Sequence, residues 1–226
     1  MKTKIILLAT LFFAFSLPLR AQHFAPDAQE EHLKGRVKSV LTTVRTPQGR
    51  IVGQPVRQNY NRDGYFTRNT YYDTMGNPVI IVNYTYDKKK RTIVADMLGL
   101  ADSLRQHTVY SYDKKNVLQK VTTYDEANKE LSSITYDYND FGYVRYATYT
   151  EGENMIYKGA NKFRYDTEGH LAERCSYYLT TLRQAFLYTY YYDSEGNWVE
   201  AYVFHVTPSE GYLYQVISRQ ITYYEE

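Results

Sequence analysis

The segment Tyr190-Tyr191-Tyr192-Asp193-Ser194-Glu195-Gly196-Asn197 decides how the rest of the chain is read. Tyr190 and Tyr192 are two residues apart and share one face of an extended strand, because side chains alternate along a strand. Asp193 supplies a side-chain oxygen at the first position of a turn. Gly196, three residues later, tolerates the positive φ of a type I turn followed by a left-handed residue. The segment therefore predicts a strand running into a tight hairpin loop.

The same arrangement recurs upstream. Tyr165-Asp166 is followed by Gly169, Tyr138-Asn139 by Gly142, Tyr112-Asp113 by Asn116, Tyr86-Asp87 by Lys90, and Tyr60-Asn61 by Gly64. From Tyr60 to Tyr192 the steps are 26, 26, 26, 27 and 27 residues, and five of the six tyrosines have an aromatic two residues earlier: Tyr84, Tyr110, Tyr136, Phe163 and Tyr190. A fixed period of this size marks a repeat architecture. Lys90 breaks the Gly-or-Asn rule, so the turn from Asp87 to Lys90 is expected to be strained or built differently. A second turn series lies between these, at Thr46-Pro47-Gln48-Gly49, Asp73-Thr74-Met75-Gly76, Asp125-Glu126-Ala127-Asn128 and Pro208-Ser209-Glu210-Gly211, with fainter members at Gly99, Glu151-Gly152 and Thr180-Thr181.

Two turns per period make each unit one β-hairpin with strands of about eight to ten residues. From Arg36 to Tyr223 this gives about seven hairpins, so the fold class is all-β, an antiparallel meander of about fourteen strands. Strands twist, and wide open sheets curl or split. One curved, coiled sheet is expected, with a closed β-barrel, which removes exposed edges, as the alternative. Residues 95–104 depart most from the pattern, with a helical turn as the less favoured reading. Residues 22–35, with Pro26, Asp27, Glu30 and Glu31, read as a lead-in or short helix, and residues 36–226 as one repeat domain. Equivalent tyrosines one hairpin apart lie roughly 10 Å apart. With the side chain between them they build continuous rows, each cross-strand pair contributing roughly 0.2–1 kcal/mol.

Residues 1–21 begin with Lys2 and Lys4, continue through an apolar run from Ile5 to Phe15, and end at Pro18-Leu19-Arg20-Ala21. That is the pattern of a cleavable signal peptide; the run is shorter than the roughly 20 residues of a membrane span. Export to the periplasm or cell exterior follows. Loss of Lys2, Lys4 and Arg20 takes the formal charge from +2 to −1, so a nucleic-acid partner is not expected. Cys175 is the only cysteine, cannot form an intrachain disulfide, and lies too far from the cleavage region to carry a lipid; it reads as a half-buried structural thiol. Membrane association after cleavage is not indicated.

Chemistry-bearing motifs are sparse. His23, His32, His107, His170 and His205 are scattered singly, and neither paired cysteines, a phosphate loop nor a nucleophile elbow occurs. Single turn aspartates fall short of the oxygens that calcium needs. The expectation is no catalytic residue, no metal and no cofactor, hence not an enzyme; a carboxylate-based glycosidase, whose two acids leave no motif, is the less favoured enzymatic reading. Tyr190, Tyr192, Trp198 and Tyr202 form the densest aromatic cluster and are the candidate binding surface for a glycan or protein. An outer-membrane β-barrel is the alternative, opposed by Glu173 and Arg174, which point to opposite faces mid-strand.

Tyr84-Thr85-Tyr86-Asp87, Tyr110-Ser111-Tyr112-Asp113, the run from Phe163 to Leu171, and the run from Tyr190 to Asn197 resemble YD repeats of the RHS type, over about residues 36–224. Leu33-Lys34-Gly35-Arg36-Val37-Lys38-Ser39-Val40 resembles the opening of small exported proteins of the Bacteroidota that carry such repeats. The resemblance implies a hairpin stack. Larger RHS proteins coil it around a cargo domain, a role not expected of so few units.

Overall fold

The computed structural model describes residues 24–225 apart from 102, 139–141, 143, 152, 153, 179, 180 and 208. The expected leader and its cleavage bond, His23, Asn139, Gly152, Thr180 and Pro208 lie outside the described residues. A short helix α1 (Asp27–Glu30) precedes fourteen strands: β1 (Val37–Arg45), β2 (Val56–Tyr60), β3 (Phe66–Tyr72), β4 (Pro78–Asp87), β5 (Thr92–Gly99), β6 (Arg105–Tyr112) and β7 (Leu118–Asp125). The second half comprises β8 (Glu130–Tyr138), β9 (Val144–Glu151), β10 (Asn154–Tyr165), β11 (Leu171–Tyr178), β12 (Thr181–Tyr192), β13 (Trp198–Val206) and β14 (Gly211–Tyr223). The described residues among 95–104 continue β5 and turn, with no helix among them.

Local chemistry makes the turns. Asp113 Oδ1 accepts the N–H groups of Lys115 (2.8 Å) and Val117 (2.9 Å), Asn116 N–H closes onto Asp113 O at 3.0 Å, and Asn116 takes φ of 62°. Asn61, Asp166 and Asp193 do the same work in their turns, and Gly64, Gly169 and Gly196 take the left-handed position. Gly142 also has positive φ, 77°. The left-handed residue shifts the register at the hairpin end, so that Tyr112 faces Leu118 and Tyr192 faces Trp198. The Asp87 hairpin is built differently, as Lys90 foretells. Its left-handed residue is Arg91 (φ 51°), and Asp87 pairs directly with Thr92 without a shift.

Consecutive strands pair antiparallel throughout, which is the expected meander. β1 pairs with β2 along Ser39–Thr42 and also with β14 from Val37 to Arg45, so the hydrogen-bonded order returns on itself as a closed barrel. The sheet is thus the closed alternative rather than an open coiled ribbon, because joining β1 to β14 satisfies the two backbone edges that an open sheet leaves bare. Fourteen strands spaced about 4.8 Å apart and tilted about 40° imply a diameter of roughly 28 Å.

Cross-strand partners define the two faces. Tyr86, Ile93, Tyr110, Val121, Ile134 and Tyr149 form one continuous row across β4 to β9. This face holds the core of Val82, Ile93, Ala95, Tyr110, Tyr112, Leu118, Val121 and Ile134, with Phe24, Tyr84, Tyr86 and Tyr136 packed against it. A second core of Val37, Val40 and Tyr60 lies at the β1–β14 seam. The opposite face carries the row Asn83, Asp96, His107, Tyr124 and Glu130. Most aliphatic side chains and the repeat tyrosines therefore point inward, together with a row of small polar side chains, Thr108, Thr123 and Ser132, that continues from Ala95. Tyr86, Tyr112 and Tyr138 share the inner face, as the period requires.

Candidate functional site

The first described residues cross the barrel end that carries the Asp–Gly turns. Phe24 N–H donates to Asn116 O at 2.8 Å, and its ring meets Tyr112 at 5.3 Å and Tyr86 at 6.5 Å. Pro26 immediately precedes α1, whose entry its fixed φ favours. Asp27 Oδ2 accepts Tyr86 Oη–H at 2.6 Å and Phe66 N–H at 2.7 Å, while Ala28 N–H donates to Gly64 O at 2.9 Å. Glu31 accepts Gln58 Nε2–H at 2.8 Å on one oxygen and Arg219 Nη2–H at 3.3 Å on the other. His32 meets the His170 ring edge-on at 5.8 Å. Asn197, 1 % exposed, reads the Lys34 backbone on both sides, accepting its N–H at 2.6 Å and donating to its carbonyl at 2.9 Å. One segment thus reaches the turns around Asn61, Asp113, Asp166 and Asp193, leaving beside it a cleft of about 510 Å³ bordered by His32, Lys34, Arg36, Arg62 and His170.

Burial governs the electrostatics here. The Asp27 carboxyl is pushed up to about 6 by desolvation, against the smaller pull of the Tyr86 hydroxyl and Phe66 amide. Tyr86 is raised by burial and by the Asp27 charge. His170 is held below the ordinary histidine range by desolvation, which outweighs Asp166 3.6 Å away. The Tyr223 phenol, linked to Asn197 and Asp193, is pushed up to about 12, chiefly by burial. Arg219 is lowered by burial, and its guanidinium lies 3.6 Å from the Trp198 ring centre. The acids Asp27 and Glu31 are both held by donors.

Three of the four expected aromatic residues come together beside this segment. Tyr190 lies 5.5 Å from Trp198 and 6.5 Å from Tyr192, and its hydroxyl donates to Leu171 O at 2.7 Å. Tyr192 Oη is 3.1 Å from His170 Nδ1. Tyr202 does not join them. It pairs with Thr189 on the outer face and meets Tyr191 at 5.5 Å, while its neighbour Ala201, 1 % exposed, faces inward. The repeat tyrosine Tyr60 is buried, Tyr192 is exposed, and Asp87, Asp113, Asp166 and Asp193 all stand at their turns. Sequence reasoning missed Asp27, Glu31, Arg219 and Asn197 as one constellation. A signal existed for Arg219, a charge placed between Ile217 and Ile221 on an inward-facing register.

The other barrel end carries a second aromatic group. Phe186, 5 % exposed, lies 5.1 Å from His205 and 5.6 Å from Tyr214, with the Arg174 guanidinium 4.8 Å from its ring. Tyr212 meets His205 at 5.3 Å. Tyr212 and Tyr214 remain 48 % and 44 % exposed. Among the described residues no cluster of three or more histidine, cysteine or acidic side chains is arranged to hold a metal ion, and no helix is long and apolar enough to cross a membrane.

No family model matches the chain. No curated protein matches it either. Among solved structures it is similar to a porin-like protein from Bacteroides uniformis, at 14 % identity over 84 % of this chain and 98 % of that one, with a TM-score of 0.48. It is also similar to a protein of unknown function from Bacteroides fragilis, at 11 % identity over 75 % and 94 % of the two chains and a TM-score of 0.23. A chain of a TcdB2–TccC3–Cdc42 complex aligns at 11 % identity over 79 % of this chain and 15 % of its own length, with a TM-score of 0.21.

Proposed function

We propose that this chain is an exported, non-catalytic YD-type β-repeat protein that works as a scaffold or binding module, offering aromatic surface to a glycan or a protein. The observation that carries this reading is the pair Tyr212 and Tyr214, left about half exposed beside Phe186 and His205 while most inward rings are covered. Contiguous exposed rings mark contact surfaces, and a tyrosine offers an apolar face with a hydrogen-bonding tip. No cofactor is part of this reading, and the acids with the most specific environments, Asp27 and Glu31, hold structure through their donors.

The site of action is the periplasm or cell exterior, in water. A lipid-facing barrel wants an apolar outer band, whereas this outer face bears Asp96, His107 and Glu130, with Arg164 bonded to Glu173 at 3.0 Å. The test is to express residues 22–226 in plain buffer and screen them on a glycan array and by pull-down. A soluble β-rich protein with a partner that Tyr212→Ala and Tyr214→Ala weaken at least tenfold is the expected result. A detergent requirement, or no partner at high micromolar concentration, overturns the reading.

A further inference from the structure

We propose that the barrel end crossed by residues 24–35 is a peptide-binding site, that this segment occupies it as an intramolecular ligand, and that a separate acidic peptide bearing the same side chains can take its place. This inference does not depend on the aromatic surface at the other end.

The contact has the character of recognition rather than of core packing. Besides the apolar contacts of Phe24, Ala28 and Leu33, the segment is held by directional polar bonds: Asp27 to Phe66 and Tyr86, Ala28 N–H to Gly64, Glu31 to Gln58 and Arg219, and the Lys34 backbone to Asn197. Arg219 sits at the floor of the site with its side chain 12 % exposed, and Glu31 is its carboxylate partner at 3.3 Å. Among the described residues its Nε and Nη1 have no hydrogen-bond partner. A buried guanidinium is costly without a counter-charge, so the emptied site would select an anion at that position. The charges are complementary at the floor, where the segment's Glu31 meets Arg219, and the mixed rim of Arg62, Asp63 and Glu168 sets Glu168 3.7 Å from the segment's Lys34. Asn197 pairs with both the N–H and the C=O of Lys34 in the manner of a strand partner, which any peptide can satisfy.

The segment joins β1 through Gly35 and so competes at the high effective concentration of a short tether. A free peptide therefore enters only when the tethered copy is weakened. The test uses the full chain carrying Asp27→Ala and Glu31→Ala, mixed with a fluorescein-labelled synthetic peptide of residues 22–36 and followed by anisotropy. The expected result is micromolar binding to the double variant, at least tenfold weaker binding to the unaltered chain, and at least tenfold loss when the peptide carries Glu31→Lys. A double variant that melts cooperatively with a β-sheet spectrum yet ignores the peptide overturns the proposal, as does equal binding of the Glu31→Lys peptide. Should the double variant fail to fold, native-state hydrogen exchange on the unaltered chain decides. The Phe24, Ala28 and Lys34 amides exchanging well before those of β1 and β14 is expected; exchange only together with those strands overturns it.

Discussion

Asp27 and His170 give this protein two opposed responses to pH. The Asp27 carboxyl is near 6 in the folded chain and near its ordinary value of 3.8 when unfolded, so folding takes up a proton between those limits. Stability is therefore greatest below the unfolded value and is lost as pH rises through about 6, by about 3 kcal/mol for the full shift. His170 is depressed instead, so its contribution is lost as pH falls through the ordinary histidine range. Urea unfolding of Asp27→Asn at pH 5 and pH 8 is expected to show the loss of stability with rising pH abolished, leaving the opposite slope of His170. Retention of the original slope would show that another group sets it. Neither residue announces this in the sequence, because each environment is assembled from partners far away along the chain, Phe66 and Tyr86 for Asp27 and His32 and Tyr192 for His170.

The turns are the most legible elements, because Asp or Asn followed by a left-handed residue is local chemistry. Even the exception at Lys90 was readable as an exception, although its resolution, a left-handed Arg91 and an unshifted register, was not. Trp198 and Tyr202 show where element-level reading fails. A spacing of four puts both on one face of a regular strand, but the bulge that sets Tyr192 against Trp198 and Tyr191 against Glu200 inserts one residue and reverses the alternation. Two glycines separate backbone strain from crowding. Gly76, with φ of 88° and open space where a Cβ would stand, is expected to lose about 1 kcal/mol on change to alanine. Gly169, with φ of 87°, would in addition place that Cβ 2.9 Å from His32, so Gly169→Ala should cost more and disturb the N-terminal segment. Thermal melts of the two variants compare them directly, and an equal loss would mean that His32 moves aside freely.

For the molecule as a whole, the hairpin count and the shared inner tyrosine face were readable, since a period of 26 residues repeats one motif. Closure was not, because the bond between first and last strands joins Val40 to Ile221 across almost the whole repeat domain, and nothing local specifies it. Val40, fully buried at that junction, tests its worth: Val40→Ala should lower stability by about 1–3 kcal/mol in a single cooperative denaturation. A loss below 0.5 kcal/mol would place the junction outside the cooperative unit. The β1–β2 contact holds only four residue pairs, Ser39–Thr42 against Val56–Asn59, and β2 is the shortest strand. If the ring parts anywhere under mild heating, it parts there. Two such opened copies would each bare a complementary border, so their natural sequel is a reciprocal exchange into an intertwined pair that seals both borders, in place of a growing fibre.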